Sequence, residues 1–363
     1  MADEYLILVL NPGSTSTKIS LFLNEECLAT ENLSHSTEEI KQFSTIFDQK
    51  DMRTGVILNW LEKHNYKMTD LAAVVGRGGL LRPMPGGTYS VDHMMLEDLK
   101  IGYQGQHASN LGGIIANSIA KQANIPAYIV DPVSVDEYEN VARISGMPEI
   151  PRKSLVHALN IKAVTRKTCN DRKLIYDNSG FVVAHLGGGI TVASVKNGRI
   201  IDSVSANDES SFSPERTGGL PVGSLVELAY SGKYDHAELI RKTIGGQGGF
   251  AAYLGTNDGR EVNRRIDAGD KRAEFILEAM TYQLSKDILA MSVVQKGKLN
   301  GIILTGGLAY NQKLTDMITE RVSFVAPVIL VPGENEMIAL MQGALRALRG
   351  EEKTKVYENE VLV

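Results

Sequence analysis

The sequence contains few cysteines and no long apolar run. These absences argue against a disulfide-rich or zinc-binding protein and against a membrane protein. Among 363 residues there are two cysteines, Cys27 and Cys169, which lie far apart and form no C-x-x-C pair. This excludes a disulfide framework and a cysteine-based zinc site. The longest uninterrupted apolar runs, such as 5–10 and 181–184, are far shorter than the roughly 20 residues that cross a bilayer. We therefore expect no membrane span.

The chain also lacks a secretory signal and a basic field. Residues 1–4 are acidic and run straight into a strand-like segment, unlike the basic and then apolar opening of a signal peptide. We therefore expect a cytoplasmic protein with reduced cysteines. The net charge of −5 and the isoelectric point of about 5.9 give no general attraction for nucleic acid, so we expect no nucleic-acid partner.

What the sequence does have is glycine in defined clusters. There are 35 glycines, and several groups of them adjoin apolar runs. The clusters lie at 76–79, 187–189, 245–249 and 306–307. Glycine reaches positive φ and presents no side chain, so it lets the backbone approach a ligand closely. This pattern is typical of turns that bind phosphate.

Two pairs of similar segments indicate a duplication. In the first pair both segments read as strand, small-residue turn and strand, and in the second pair an apolar strand ends in paired glycines. The first pair is 5–24 and 179–198, and the second is 71–80 and 300–308. The first pair matches Asn11 with His185. Because the pairs occur in the same order, we predict one strand-rich unit used twice, with a cleft between the copies.

Stretches with helical periodicity separate these strands. We predict helices at 107–123, around 215–230, at 270–294 and at 334–348. The alternation of strands and helices predicts an α/β protein.

The first turn, at residues 11–18, supplies hydroxyls, backbone N–H groups and one lysine between two strands. A terminal phosphate and its metal require such groups. The Walker pattern G-x-x-x-x-G-K-[ST] is absent. Taken alone, the segment also reads as a polar hairpin turn.

One histidine and two arginines are the other candidates for chemistry. His185 ends an apolar strand before three glycines, and it reads either as a satisfied core histidine or as a donor to a phosphoryl oxygen. Arg77 and Arg216 lie in glycine-containing turns. Most arginines are solvated charges, but two in one cleft suit holding a carboxylate and stabilising a phosphoryl group in transfer.

Seven motifs, taken together and in order, resemble the acetate kinase family. They are NPGSTSTK from Asn11, VGRGG from Val75, VDP from Val130, HLGGG from His185, ERTGGLPVG from Glu215, LTGGLAYN from Leu304 and PGENEMIA from Pro332. The resemblance covers essentially the whole chain.

This resemblance implies an α/β fold of the actin-like ATPase, or ribonuclease H-like, type. It implies two duplicated lobes, each a mixed five-stranded sheet flanked by helices, with the active site in the cleft. The expected N-terminal lobe is 1–150 together with 335–363, closed by the C-terminal helix. Residues 151–334 are then the C-terminal, nucleotide-binding lobe.

The resemblance also implies roles for individual residues. The implied catalytic residues are Arg77, His185, Arg216, His107 and Asp131. The implied ligands of the nucleotide and its phosphates are Asn11, Ser14, Ser16, Lys18, Gly187, Gly188, Gly189, Asp258, Arg260, Gly306, Gly307 and Asn311. The implied magnesium ligands are Asn11, Asp131 and Glu334, with Glu336 as a neighbour that competes with Glu334.

Structural alternatives stay open for three of these residues. Asp131 precedes Pro132 and also reads as the start of a turn, and His107 also reads as a cap for the helix that follows it. Glu334 also reads as a carboxylate placed in a first helical turn by the helix dipole.

The implied reaction transfers the γ-phosphate of ATP to the carboxylate of butyrate, or of a similar short or branched fatty acid, and gives ADP and an acyl phosphate. It is reversible and direct, it needs Mg²⁺, and the resemblance implies a homo-oligomer. Acetate kinases carry valines after the arginine that matches Arg77, where this chain has Gly78 and Gly79. We therefore predict an acyl pocket widened by the missing methyl groups.

Other functions remain open at this point. Within the family the acceptor could be acetate, propionate or a branched-chain acid. A sugar or glycerol kinase would need a carboxylate base, for which Asp131 is the candidate. An actin-like or chaperone-like ATPase is the alternative from a different class.

Overall fold

The structure, a computed structural model, describes residues 4–361. The acidic opening at residues 1–3, on which the prediction of location partly rests, lies outside these residues. Among the described residues, no helix is both long enough and apolar enough to cross a membrane.

The chain alternates strands and helices, as predicted. The strands are β1 (Leu6–Pro12), β2 (Ser16–Leu23), β3 (Glu26–Ser34), β4 (Ala73–Arg77), β5 (Thr88–Ser90), β6 (Ala127–Val130), β7 (Gly180–Leu186), β8 (Ile190–Lys196), β9 (Arg199–Ser205), β10 (Gly301–Gly306), β11 (Val328–Pro332) and β12 (Lys355–Val356). The helices are α1 (Thr37–Ile40), α2 (Lys50–Lys63), α3 (His93–Ile101), α4 (Asn110–Ala123), α5 (Ala158–Arg172), α6 (Val222–Tyr230), α7 (His236–Thr243), α8 (Gly249–Leu254), α9 (Gly259–Asp267), α10 (Lys271–Val294), α11 (Gln312–Val322), α12 (Glu336–Leu348) and α13 (Tyr357–Glu360). Short 3₁₀ turns lie at Phe47–Gln49, Met68–Asp70, Asn140–Arg143, Tyr176–Asn178 and Gly307–Tyr310.

The chain forms two compact units. One contains the residues up to Glu137 and those from Asn335 onward, and the other is Tyr138–Glu334. The division lies earlier than the expected boundary at 150. The physical reason is that this connecting segment bonds to β9, where the Glu139 N–H donates to the Ile201 carbonyl at 3.0 Å. The Tyr138 hydroxyl donates to the Ser203 carbonyl at 3.2 Å.

The first unit is built on a mixed sheet in the order β12-β5-β6-β4-β1-β2-β3. β1, β2 and β3 are antiparallel neighbours, while β4 runs parallel to β1 and β6 runs parallel to β4. The short strands β5 and β12 extend the sheet beyond β6. The sheet therefore has seven strands, two more than the five expected.

Both faces of the first sheet are covered, which explains why β1 reads as a continuous apolar run. Leu8 and Leu10 belong to a core cluster shared with α2 and α4. Ile7 and Val9 point to the opposite face because side chains alternate along a strand, and they are also fully buried. α12 packs on β1, β4 and β6. This helix from the C-terminal part of the chain belongs to the first unit.

The second unit repeats the first unit's topology. Its sheet has the order β11-β10-β7-β8-β9, which matches β6-β4-β1-β2-β3 in both order and direction. Asn11 is the sixth residue of β1 and His185 is the sixth residue of β7. The predicted duplication and the predicted match of these two residues are confirmed, and this sheet has the expected five strands.

Helices also cover the second sheet. α10 and α11 share a core cluster with β7, β8 and β10, while α5 packs on β7 and β10. The helix predicted around 215–230 begins only at Val222, because Gly218 has a φ of +62° and Pro221 precedes the first turn. The helix predicted from 107 begins at Asn110, and the one predicted from 334 begins at Glu336.

Candidate active site

Three predicted site residues of the first unit lie at the carboxyl ends of adjacent strands. Asn11 lies near the end of β1, Arg77 ends β4, and Asp131 directly follows β6. The register pairs Leu10 with Gly76, and Arg77 with Val130, the residue before Asp131. Ligands of open α/β sheets bind outside the carboxyl ends of strands. The topology therefore brings these three residues to one edge.

Glycines set the position of Arg77 against α4. A methyl group on Gly76 would overlap the Gly112 carbonyl, and one on Gly112 would overlap the Arg77 carbonyl. The strand and the helix therefore touch backbone to backbone, which fixes where the Arg77 side chain leaves the sheet. A larger residue at either glycine would push the strand from the helix.

Asn11, Arg77 and Glu336 form a hydrogen-bonded group in the first unit. The Asn11 side-chain amide donates to Glu336 Oε2 at 2.6 Å. Arg77 Nη1 lies 3.0 Å from both Glu336 oxygens and 3.4 Å from Asn11 Oδ1. Nε and Nη2 of Arg77 donate to no residue of 4–361, and the side chain is 34% exposed. These N–H groups can therefore bind an oxygen of a substrate.

The two competing glutamates fall in different units. Glu336 opens α12 beside Asn11, whereas Glu334 is the last residue of the second unit, 3.7 Å from His185 Nε2. The contact with Asn11 is thus made by Glu336, whereas the resemblance to the family favoured Glu334 as the magnesium ligand.

Asp131 and His107 both make hydrogen bonds within the first unit, and those of His107 match its structural alternative as a cap for α4. Asp131 is 4% exposed, has a φ of +39°, and accepts from the Gly87 N–H at 2.7 Å. His107 Nδ1 lies 2.8 Å from the Ser109 hydroxyl and accepts from the Ser109 N–H at 3.2 Å, just before α4. Burial and the Arg77 charge lower the pKa of His107. The neutral imidazole is therefore favoured near Arg77.

The prediction of a pocket widened at Gly78 and Gly79 is wrong. A methyl group on Gly78 would meet the Pro132 side chain, and one on Gly79 would overlap Asn110. The Leu80 N–H donates to Asn110 Oδ1 at 2.9 Å. The space that the missing methyl groups leave is filled by the protein's own residues, so it cannot hold an acyl chain.

In the second unit, His185 is buried and its Nδ1 is hydrogen-bonded. Nδ1 lies 2.9 Å from Asn160 Oδ1, and the Asn160 amide donates to the Glu334 carbonyl at 3.0 Å, which fixes the amide's orientation. Nδ1 therefore carries the proton of the neutral ring. Donation from Nε2 requires the imidazolium, which the Glu334 carboxylate 3.7 Å away would stabilise.

His157 lies beside His185, although the sequence assigned it no role. Its ring stacks on His185 with centroids 4.0 Å apart and planes 14° from parallel. Its Nδ1 lies 2.9 Å from the hydroxyl of Thr191, the cross-strand partner of His185. No spacing in the sequence connects 157 to 185, because the contact arises from the packing of α5 on β7.

Arg216 lies against the glycine turn that follows β7. A methyl group on Gly189 would overlap the Arg216 guanidinium. The Ser213 hydroxyl donates to the Gly188 carbonyl at 2.5 Å and accepts from the Arg216 N–H at 3.1 Å, which ties the two motifs together. The Arg216 guanidinium donates no hydrogen bond to any residue of 4–361. All its donors can therefore bind a ligand.

A cavity of about 580 Å³ opens beside this turn, entirely within the second unit. This volume lies in the range of small-molecule sites. Its lining residues are Gly187, Gly188, Pro214, Asn257, Asp258, Gly259, Arg260, Asn263, Gly307, Leu308, Tyr310, Asn311 and Glu334. Residues expected to bind the nucleotide therefore gather at one cavity from three separate segments, whereas Gly189 and Gly306 are not among its lining residues.

Several of these lining residues also have structural bonds. Asp258 caps α9 and pairs with Arg260 at 3.0 Å, and the Arg260 hydrogen bond lowers the pKa of Asp258. Asn311 caps α11. Gly306 has a φ of +87° and lies against the Leu186 backbone, so only glycine fits there without strain.

The oxygen donors of the first unit fit a hard cation. Among residues 4–361, no three His, Cys, Asp or Glu side chains gather as a metal cluster. Mg²⁺, however, commonly takes one or two protein oxygens and completes its shell with water and phosphate. Asn11 Oδ1 and the Glu336 carboxylate are oxygen ligands of that kind, and the 2.6 Å hydrogen bond from the Asn11 amide nitrogen holds the two side chains together.

Two solved structures share this architecture. An acetate kinase of Porphyromonas gingivalis matches with a TM-score of 0.77 at 18% identity, over 94% of this chain and 99% of that one. A propionate kinase of Francisella tularensis subsp. tularensis matches with a TM-score of 0.73 at 17% identity, over 93% and 98% of the two chains. The protein thus has the duplicated α/β fold of acetate and propionate kinases, of the actin-like ATPase type.

Sequence comparison identifies the family. Butyrate kinase 1 of Clostridium acetobutylicum is 52% identical over 355 residues, which cover 98% of this chain and 100% of that one. A family model described as the acetokinase family matches residues 150–326. The chain belongs to the acetokinase family.

Proposed function

We propose that this protein is an ATP-dependent kinase of short carboxylic acids whose preferred acceptor is butyrate. The observation that carries the proposal is the 52% identity to butyrate kinase 1 of Clostridium acetobutylicum over almost the full length of both chains. The products are butyryl phosphate and ADP. Because an acyl phosphate is a high-energy product, the reverse reaction, ATP synthesis, is equally accessible.

In this proposal the first unit binds the reacting acid and the terminal phosphate. Arg77 has N–H groups that no described residue uses, and a guanidinium can bind a carboxylate or phosphoryl oxygen through two parallel hydrogen bonds. Ser14 is exposed in the turn between β1 and β2, Ser16 is partly buried at the first position of β2, and Lys18 projects from β2. These polar groups suit phosphate oxygens.

The second unit supplies the nucleotide site and further charge stabilisation. The 580 Å³ cavity, lined by Gly187, Gly307 and Asn311, is assigned to the adenosine. Arg216, with its unused donors beside Gly189, is assigned to the phosphoryl group in transfer. His185, in its imidazolium form, can donate from Nε2 to the same oxygens, and His157 stacks on its ring.

The chemistry needs no general base. A carboxylate oxygen of the acid attacks the γ-phosphorus, the new O–P bond forms, and the bond to the bridging oxygen breaks with its electron pair leaving on ADP. No proton is removed from the acceptor. A hydroxyl kinase would need one removed, and Asp131, its only candidate base, is buried and bonded to the Gly87 N–H.

Asn11 and Glu336 are the residues that we assign to hold magnesium. Their direct contact favours Glu336 over Glu334, and Asp131 remains an outer candidate after β6, two strands away from β1. Magnesium bound there would offset negative charge on the phosphate oxygens. The repulsion between the two anionic substrates is also offset by Arg77 and Arg216.

Acetate, propionate and branched-chain acids remain alternative acceptors, and a homo-oligomer and a cytoplasmic location remain predictions. Butyrate-dependent ADP release, with the acyl phosphate trapped by hydroxylamine, tests the proposal. We expect ADP and butyryl hydroxamate in equal amounts. ADP release that no acid stimulates would contradict it and would favour an ATPase of another class.

A further inference from the structure

A fully buried arginine lies behind the turn between β1 and β2. Arg53 is on α2 with 0% of its surface exposed. It shares the buried face of that helix with Ile57, Trp60 and Leu61. Charged side chains are almost never fully buried unless they are paired. The position is one that an apolar residue would ordinarily occupy.

Every hydrogen-bond acceptor of Arg53 is neutral, and most belong to the turn. Nη1 donates to the Gly13 carbonyl at 2.9 Å, the Ser16 carbonyl at 3.0 Å and the Thr17 hydroxyl at 3.0 Å, while Nη2 donates to the Ser14 carbonyl at 3.2 Å and to Gln49 Oε1 at 2.8 Å. Nε also donates to Gln49 Oε1, at 3.1 Å. Among residues 4–361, no carboxylate lies within ion-pair distance of this guanidinium.

These bonds orient the N–H groups of the turn. The C=O and N–H of a trans peptide point in opposite directions. Because the Gly13 and Ser14 carbonyls point to Arg53, the N–H groups of Ser14 and Thr15 point away from it. Neither N–H donates to a described residue, and both residues are exposed. Two adjacent N–H groups facing outward form a concave site for an anion.

Packing alone does not require a charge at this position. Removing a guanidinium from water is costly, and burial lowers the pKa of Arg53. An arginine nevertheless stays protonated in proteins. A neutral apolar side chain would fill the same space without the desolvation cost of the charge, but it would leave the Gly13, Ser14 and Ser16 carbonyls without this donor. Hydrogen bonding to neutral acceptors supplies no counter-charge, and an anion on the far side of the turn would supply one.

We propose that Arg53 is a positioning residue for the turn at 13–17: it holds the carbonyl groups back so that the Ser14 and Thr15 N–H groups face the phosphoryl group, and its buried charge offsets the charge of that group. The inference rests on the proposed acid kinase activity. According to this inference, the turn binds the phosphoryl group in transfer and not the phosphates of ADP.

The test is the reverse reaction, in which butyryl phosphate and ADP are separate substrates. For Arg53→Met, we expect kcat/KM for butyryl phosphate to fall at least about 100-fold, as when a preorganised oxyanion donor is lost. We expect KM for ADP to stay within about twofold. Arg53→Lys keeps the charge, but its three N–H donors cannot replace all six hydrogen bonds of the guanidinium, so it should recover only part of the loss, to about tenfold below wild type.

Arg346→Met is the matched control. Arg346 is a partly buried arginine of the same unit, near the end of α12, and pairs with Glu352 at 2.8 Å. Its loss should lower the melting temperature without changing kcat/KM for butyryl phosphate. If Arg53→Met does not fold, Arg53→Lys carries the test alone.

Three outcomes overturn the inference. In the first, the folded Arg53 variant keeps kcat/KM for butyryl phosphate within about threefold of wild type. In the second, KM for ADP rises in step with KM for butyryl phosphate, which would indicate a general structural role. In the third, wild-type protein has no acid kinase activity, which overturns the proposed function and this inference together.

Discussion

The Asn11 side-chain amide lies 2.6 Å from a carboxylate oxygen of Glu336, although 325 residues separate them in the chain. β1 ends in Asn11-Pro12 and α12 begins at Glu336, so the packing of α12 on β1 brings the two together. Arg77 bonds to the same carboxylate. This contact favours Glu336 as the metal-binding glutamate of the pair at 334 and 336.

Glu336→Gln should therefore lower kcat by about 100-fold or more and raise the Mg²⁺ concentration needed for half-maximal activity, because an amide binds a hard cation more weakly than a carboxylate. Activity measured across a Mg²⁺ titration checks this. Glu334→Gln is the matched variant, with the same chemical change two residues away. A shifted Mg²⁺ requirement in Glu334→Gln but not in Glu336→Gln would reverse the assignment.

Arg216 should matter chiefly in the transition state. Arg216→Ala is expected to lower kcat by about 10²–10³-fold, the usual cost of losing one preorganised donor to developing charge. KM for ATP should change much less. Steady-state kinetics with butyrate measure both. Near-normal turnover in Arg216→Ala would remove this arginine from the mechanism.

The approach of Arg216 to Gly189 gives a test that leaves the arginine in place. Gly189→Ala adds a methyl group where the guanidinium lies, so the arginine must shift and kcat should fall at least about tenfold. Gly223→Ala, where nothing lies within 4 Å of the added methyl, is the control. Equal activity of the two variants would contradict the predicted position of Arg216.

Gly78 and Gly79 should affect stability and not the choice of acid. A methyl group on Gly79 would overlap Asn110, whose side chain caps the Leu80 N–H. Gly79→Ala should cost about 1–3 kcal/mol, the usual range for overpacking, and leave the ranking of acids unchanged. Thermal unfolding and kcat/KM for acetate and butyrate check both parts. A folded variant whose preference shifts toward acetate would support the rejected prediction that these glycines widen the acyl pocket.

His35 should make stability depend on pH. Burial and the Arg53 charge lower the pKa of His35 below the ordinary value of about 6.5. The unfolded chain then binds the proton first as the pH falls, so the free energy of unfolding should fall below about pH 6.5 and be fully retained above it. One histidine contributes a slope of at most about 1.4 kcal/mol per pH unit.

Chemical denaturation between pH 5 and 8 measures this slope. His35→Gln should reduce the slope, because glutamine does not titrate, and should leave the part that His107 contributes, since burial also lowers the pKa of His107. His236→Gln, at an exposed position on α7, should leave the slope unchanged. The same slope in His35→Gln and in wild type would show that other groups carry the effect.

The parts of the fold that are set locally could be predicted from the sequence. Each hairpin appears in the sequence as an apolar strand, a small-residue turn and a second strand. The equivalence of Asn11 and His185 in the two units could therefore be predicted from the sequence. The extra strands β5 and β12 were not, because strands of three and two residues carry no period. The late start of α6 was missed because the turn at 213–219 depends on bonds to the Ser213 hydroxyl.

The candidate site was predictable where a motif carries its own chemistry, as at Arg77, Arg216 and the glycine turns. The site could not be predicted where the packing of distant segments determines which residues meet. The choice between Glu334 and Glu336 depends on where α12 begins, and the space at Gly78 depends on Pro132, from another strand end. Arg53 gave no signal, since an arginine on a helix ordinarily faces water.

The most direct test of the central claim is the ATP-dependent acyl hydroxamate assay with acetate, propionate, butyrate, isobutyrate and isovalerate, comparing kcat/KM for each. We predict a maximum at butyrate, with acetate lower by about tenfold to a few hundredfold, since each buried methylene contributes about 0.8 kcal/mol. A maximum at acetate would contradict the assigned acceptor, and no product with any acid would contradict the assignment as a carboxylic acid kinase.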